Sequence, residues 1–281
     1  MINFLRNETL VVIVTYNPNI PMLERCLNAI EKQFDNIIVV DNASTNINLI
    51  SEYIKKNHLQ VELLKLNKNM GIAYAQNLGL NSVKTNRSKK WLLTLDQDSV
   101  IPENLTEEYE KTLSGCKNVG LIGCAYTKKS YTVIDTPRII SSGSLINIKK
   151  LLSIGGFNNG LFISHVDHDC SLRMLKKGYR TILNSNVLLE HNLGSKTNRR
   201  TFLGNYYTYY KPIRYYYNTR SAVYIFKKHF FTSPYFTLEI LLYSIFVANI
   251  FLLIYEPNKL KNLRMLVKAF WDGATNQMEE L

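Results

Sequence analysis

Cysteine is scarce in this 281-residue chain. There are four, Cys26, Cys116, Cys124 and Cys170, and no two form a C-x-x-C pair. That excludes a disulfide framework and a cysteine zinc site. Cys124 and Cys170, in apolar surroundings, read as small core residues. Glycine (13) and proline (7) are too few for a collagen-like or low-complexity chain. No G-x-G-x-x-G follows the first apolar run and no G-x-x-x-x-G-K-[ST] occurs, so neither the dinucleotide fingerprint nor the P-loop is present. The first apolar run, Leu10–Val14, is short and leads into Thr15-Tyr16-Asn17-Pro18. No secretory leader is expected, and the chain reads as cytoplasmic. Acidic residues are missing altogether from Lys196 to Leu238.

What is present is a globular composition, 46% hydrophobic and 20% charged, which rules out a disordered chain. The net charge of +12 is uneven. Residues 1–194 carry 22 basic and 17 acidic side chains, residues 195–281 carry 12 and 5, and 11 of the 18 tyrosines lie in the second segment. A basic, aromatic tail suits an anionic partner: nucleic acid, phospholipid or a phosphorylated substrate.

The first half alternates strand and helix signals. Strands are expected at Leu10–Thr15, Ile37–Val40, Val61–Leu66 and Trp91–Leu95. Helices are expected at Pro21–Gln33, Ile47–Lys56 and Gly71–Val83. This order implies right-handed βαβ units and a mostly parallel sheet. Further on, Val119–Tyr126, Ile139–Ile148, Tyr179–Leu183 and Val187–Glu190 read as strands, and Val166–Gly178 as a helix. The composition shifts after Gly194, giving an expected boundary between 1–194 and a helical extension at 195–281. Within the extension, Tyr235–Tyr255 has 17 hydrophobic residues of 21 and is expected to be a packed or membrane-surface helix.

Polar residues cluster just past the strand ends: Thr15-Tyr16-Asn17, Asp41-Asn42, Asn67 and Asn69, and Asp96-Gln97-Asp98. That edge is where open α/β sheets bind ligands. Asp96 and Asp98 suit a hard cation such as Mg²⁺ or Mn²⁺ that shares its shell with a diphosphate. Helix capping by Asp98 or Ser99 is the bland alternative, and Asp41 has the same one for the Ile47 helix. Asp41 could otherwise accept from a base or ribose. Gly71 lets backbone approach a ligand, and the helix start after it can face phosphate or ribose. His165-Val166-Asp167-His168-Asp169 admits three readings: a hydrolase metal cluster, a general base at a helix start, or acids placed by the helix dipole. His191, alone after a strand, is open between structure and ligand.

In order along the chain, Val11–Asn17, Val39–Ser44, Asn69-x-Gly71-x-Ala73-x-Ala75-x-Asn77-x-Gly79, Leu95–Asp98, Ser142-Gly143-Ser144, Gly155-Gly156-Phe157 and Asp167-x-Asp169-x-x-x-Arg173 resemble the family 2 glycosyltransferases of the GT-A fold. The Asp-Gln-Asp-Ser box and Arg214-Tyr215-Tyr216-Tyr217-x-x-Arg220 make the likeness strongest to bacterial rhamnosyltransferases of cell-wall and O-antigen polysaccharide synthesis. The resemblance implies an α/β, Rossmann-like GT-A domain, a mostly parallel sheet flanked by helices, followed by the basic, aromatic helical extension. It implies an inverting transfer of a sugar, L-rhamnose from dTDP-rhamnose, to a lipid-linked glycan. UDP-galactofuranose, UDP-glucose and UDP-N-acetylhexosamine are the other donors, and a metal-dependent phosphohydrolase is the competing activity.

The resemblance also implies roles. Thr15, Tyr16, Asn17, Asp41, Asn69, Gly71, Asn77 and Asp96 would bind the nucleotide sugar. Asp98, Asp96 and His191 would hold Mg²⁺ or Mn²⁺. Asp167 would be the catalytic base, with Val166 standing where many members carry an acid. The expected partners are the donor, a polyprenyl-diphosphate-linked glycan acceptor and the anionic inner leaflet of the plasma membrane, where the chain would be peripheral. The Lys196–Lys228 stretch would make the membrane contact. A homodimer is the other role open to the tail. No nucleic acid is expected.

Overall fold

The computed structural model describes residues 4–57, 60–82, 88–127, 132–191, 197–200, 206–209, 211–255 and 258–278. A short helix, α1 (Phe4–Glu8), leads into β1 (Thr9–Thr15). Then come α2 (Ile20–Glu31), β2 (Ile37–Asp41), α3 (Ile47–Lys56), β3 (Val61–Lys65), α4 (Ile72–Asn81) and β4 (Trp91–Asp96). These four strands are parallel, in the order β3-β2-β1-β4. Alternate residues of β1 point to opposite faces. Val11 and Ile13 pack in the core shared with Leu23, Leu27 and Ile30 of α2 and Ile50 of α3. Leu10 and Val12 pack in the core shared with Ala73 and Leu80 of α4. Burial on both faces is why these strands read as unbroken apolar runs.

Past β4 the sheet becomes mixed. The elements are β5 (Ser99–Val100), α5 (Leu105–Gly115), β6 (Val119–Ala125), β7 (Val133–Asp135), β8 (Ser144–Asn147), α6 (Ile148–Ser153), α7 (Val166–Lys176), β9 (Arg180–Leu188) and β10 (Glu190–His191). The complete order is β3-β2-β1-β4-β8-β6-β9-β7. β8 runs antiparallel between β4 and β6, and β10 pairs antiparallel with β5.

Three expectations change here. The strand expected over Ile139–Ile148 begins only at Ser144, because Ser141–Gly143 forms a turn with Gly143 at φ 79°. Any side chain at Gly143 would run into Cys124 Sγ. The two short strands expected at Tyr179–Leu183 and Val187–Glu190 are mostly one strand, β9. Asn184, between the two expected strands, is buried and donates to Thr112 Oγ1 at 2.9 Å. Neither aspartate cap forms: α5 is preceded by Asn104 and α3 by Asn46.

The extension opens with an antiparallel ribbon rather than helix, β11 (Thr197–Arg200) and β12 (Tyr206–Tyr209). Aromatic and β-branched residues favour that conformation. It continues as α8 (Pro212–His229), α9 (Pro234–Leu242), a π-helical segment (Tyr243–Ala248), α10 (Asn249–Tyr255) and α11 (Lys259–Thr275). Ala222, Ile225, Phe236 and Ile240 of α8 and α9 enter the same core as Leu121, Ile146 and Cys170. Among the described residues no helix is long and apolar enough to cross a membrane.

Candidate active site at the strand ends

Strand register brings the polar residues together. Thr15 lies beside Asp41, and Val14 beside Asp96. Asp41 is 1% exposed and accepts from Thr15 Oγ1 at 2.9 Å, from Ser44 N at 2.8 Å and from Ser44 Oγ. It therefore lies one layer behind the loop that carries the exposed Tyr16 and Asn17. Asn17 is left-handed at φ 47°, receives the N–H and hydroxyl of Thr45 on Oδ1, and donates its own N–H to Ser44 Oγ. Gln97, which the motif reading left without a role, accepts from Tyr16 N at 2.7 Å and so ties the Asp-Gln-Asp box to this loop.

The box itself is held by Ser142. Its Oγ accepts from Asp96 N at 3.0 Å and donates to Ser99 Oγ at 2.7 Å. Burial, then the charges of Asp98 and Asp167, push the Asp96 carboxyl up to about 7, with Arg214 acting in the opposite sense. The same three carboxylates, after burial and Cys124, raise the Tyr126 phenol. Asp96, Asp98 and Asp167 thus share one region, and their mutual repulsion is what a divalent cation relieves. Hard oxygen donors suit Mg²⁺ or Mn²⁺, and two carboxylates leave room for diphosphate oxygens. Among the described residues no group of three or more His, Cys, Asp or Glu side chains is arranged to hold a metal alone. The backbone of His191 pairs with Ser99, next to Asp98, but its side chain lies outside the described residues.

The α4 start forms the third wall. Asn42 donates to Asn69 Oδ1 and accepts from Met70 N, both at 2.8 Å, and Gly71 N donates to Asn69 at 2.9 Å. Gly71 has φ 81°, and a side chain there would collide with the carbonyl of Phe162. The expectation that Asn77 meets the donor changes. Its amide is spent on Phe157 N, Phe157 O and Asn159 Oδ1, pinning the loop before α7.

Asp167 and Asp169 part company on α7, since residues two apart on a helix face different ways. Asp167 turns to the strand ends, where Oδ2 accepts from Ser141 N at 3.1 Å and Oδ1 from His168 N at 2.8 Å. Asp169 is fully buried between Arg173 Nε at 2.6 Å and His229 Nε2 at 3.0 Å. His165 and His168 face each other, Nδ1 to Nδ1 at 2.9 Å. Burial, then the neighbouring His168, hold His165 well below the usual histidine range. A metal cluster over His165–Asp169 fails on this divergence, and the phosphohydrolase reading fails with it. Arg214, at the start of α8, had a signal only in the Arg-Tyr-Tyr-Tyr-x-x-Arg run. Ser141 and Gln76 had none: Gln76 Nε2 donates to Ser141 Oγ at 2.7 Å, behind Asp167.

Comparison with known proteins agrees with this geometry. Residues 10–175 match the family described as Glycosyl transferase family 2. The dTDP-rhamnosyl transferase RfbF of Shigella flexneri is 27% identical over 247 residues, 78% of this chain and 79% of that protein. The mannosyltransferase PcManGT from Pyrobaculum calidifontis, solved with GDP-Man and Mn²⁺, superposes with a TM-score of 0.63 at 15% identity, over 96% of this chain and 88% of its own. GalNAc-T7, solved with UDP, GalNAc and Mn²⁺, gives 0.56 at 15% identity over 65% of this chain. The chain spans 43% of GalNAc-T7, less than half its length. At such identity the two structures share the fold.

Proposed function

The chain belongs to glycosyl transferase family 2 and is a nucleotide-sugar glycosyltransferase, and from that premise we propose that it inverts configuration while moving L-rhamnose from dTDP-rhamnose to a hydroxyl of a polyprenyl-diphosphate-linked glycan. The observation that carries the reading is the meeting of Asp96, Asp98 and Asp167 where β4 ends and α7 begins. The 27% identity to a dTDP-rhamnosyl transferase supports the donor.

Tyr16 and Asn17 line the place for base and ribose, and the buried Thr15 and Asp41 hold that loop from behind. Asn69 and Gly71 bring backbone close to the donor from the α4 side. Mg²⁺ or Mn²⁺ held by Asp98 and Asp96, with His191 as a third ligand, would neutralise charge on the leaving diphosphate. Asp167 takes the proton of the acceptor hydroxyl. The acceptor oxygen bonds to the anomeric carbon from the face opposite the diphosphate. The bond from that carbon to the diphosphate breaks, and dTDP leaves. Residues 1–194 do this chemistry. Residues 195–281 hold the enzyme at the anionic inner face of the plasma membrane, where the acceptor resides; a homodimer through them is the competing role.

Thermal unfolding with Mn²⁺ or Mg²⁺ and one nucleotide sugar at a time tests the donor. A ligand at about a hundred times its Kd stabilises by about 2.7 kcal/mol. The largest rise in Tm is expected with dTDP-rhamnose. A larger rise with UDP-galactofuranose, UDP-glucose or UDP-N-acetylglucosamine overturns the donor assignment, and no rise with any of them overturns the nucleotide-sugar site.

A further inference from the structure

The tail's charge and aromatic content divide into a buried share and an exposed one. On α8 the tyrosines and Arg220 turn inward, while Arg214, Lys227 and Lys228 are exposed. Tyr215, Tyr216 and Tyr217 are buried, and the fully buried Arg220 donates to Gly160 O at 2.7 Å with its guanidinium over the Tyr217 ring at 5.0 Å. On α11 the aromatics and cations turn outward. Leu260, Leu263, Val267, Phe270 and Trp271 are all exposed, Val267 and Trp271 at 63%. Interleaved with them are exposed Lys259, Lys261, Arg264 and Lys268. The one acid of that helix, Asp272, is 3% exposed and accepts from Lys268 Nζ and Tyr216 Oη.

A second stripe runs alongside. Leu238, Leu242, Phe246, Ile250 and Ile254 are exposed at every fourth position, and α10 packs against α11. In an α-helix a four-residue step drifts by about 40° around the axis. The wider turns of the π segment Tyr243–Ala248 drift the other way and hold the stripe to one side. Glu239 is the only charged residue between Pro234 and Tyr255, and it is paired with Arg138.

We propose that the exposed face of α11, continued by the stripe on α9 and α10, is a docking surface for an anionic lipid bilayer. Apolar side chains enter the headgroup–acyl boundary, Trp271 and Tyr243 sit at the interface, and Lys259, Lys261 and Arg264 meet lipid phosphates, Lys268 being paired with Asp272. A second copy is the poorer occupant. A two-fold interface sets each patch against itself and would face the α11 cations with their own kind. The inference rests on the membrane location proposed above and adds α9–α11 to the contact expected of Lys196–Lys228, of which the side chains of 196–210 lie outside the described residues.

The test is co-sedimentation of the full chain with phosphatidylglycerol–phosphatidylcholine vesicles and with pure phosphatidylcholine vesicles. Binding is expected to the anionic vesicles, weaker at high salt. The double variant Lys261→Gln/Arg264→Gln should bind about 30-fold more weakly, and Val267→Asp should also weaken binding. Each of these side chains is exposed, so the fold should survive, and an unchanged Tm rise with dTDP-rhamnose checks it. No binding to either vesicle, equal binding by the variants, or a dimer in solution that Val267→Asp splits overturns the surface. A missing dTDP-rhamnose response with intact vesicle binding would fail the donor assignment and leave the surface standing.

Discussion

Asp96 sits at the end of β4, where burial and the charges of Asp98 and Asp167 raise its carboxyl to about 7. A folded carboxyl raised above its unfolded value keeps its proton while the unfolded chain loses it. Without a cation, stability therefore falls as pH rises from about 4 to about 7. Metal-free Tm should decline over that range, Asp96→Asn should flatten the decline, and a Tm that climbs with pH would contradict the arrangement. A second expectation concerns Gln76. Its Nε2 and Thr94 Oγ1 fix Ser141, whose N–H donates to Asp167 Oδ2. Gln76→Leu should lower kcat about tenfold or more by misplacing the base. It should leave the dTDP-rhamnose Tm rise unchanged, and unaltered kcat would remove Gln76 from this chain of contacts. The carboxylates were legible in the sequence because they follow apolar strands directly. Gln76, Ser141 and Gln97 were not, since each acts through a partner 65 to 81 residues away.

Elements with strong periodicity were readable almost to the residue, as β1, β2, β4 and α3 show. Their apolar spacing is set by burial on known faces, and burial dominates local preference. Elements whose fate depends on distant partners were less so. The Ser141–Gly143 turn reads as strand until Thr94, Gln76 and Asp167 are placed around it. The joint between α7 and α8 was likewise hidden. Asp169 meets Arg173 and His229, and Arg173 Nη1 also donates to Ile154 O and Gly156 O. Both carboxylate oxygens are fully buried, so Asp169→Ala should cost about 3–5 kcal/mol. Urea denaturation reads this directly, and a loss below about 1 kcal/mol would show that the joint carries little.

At the scale of the molecule, the +12 charge separates into two uses. The nearly balanced first 194 residues collect carboxylates at one sheet edge. The surplus lies in the extension, where Arg220 is buried and the other cations of α8 and those of α11 are exposed. The sequence showed that imbalance, but the direction in which each cation points needed the packing of α8 under α9 and α11. The central claim is that Asp167 deprotonates the acceptor. It is tested most directly by dTDP release from dTDP-rhamnose in the presence of a lipid-linked glycan acceptor, comparing the native chain with Asp167→Asn. Transfer should fall by about 10²- to 10⁴-fold while the dTDP-rhamnose Tm rise stays the same; a variant whose transfer falls less than about tenfold would contradict the account.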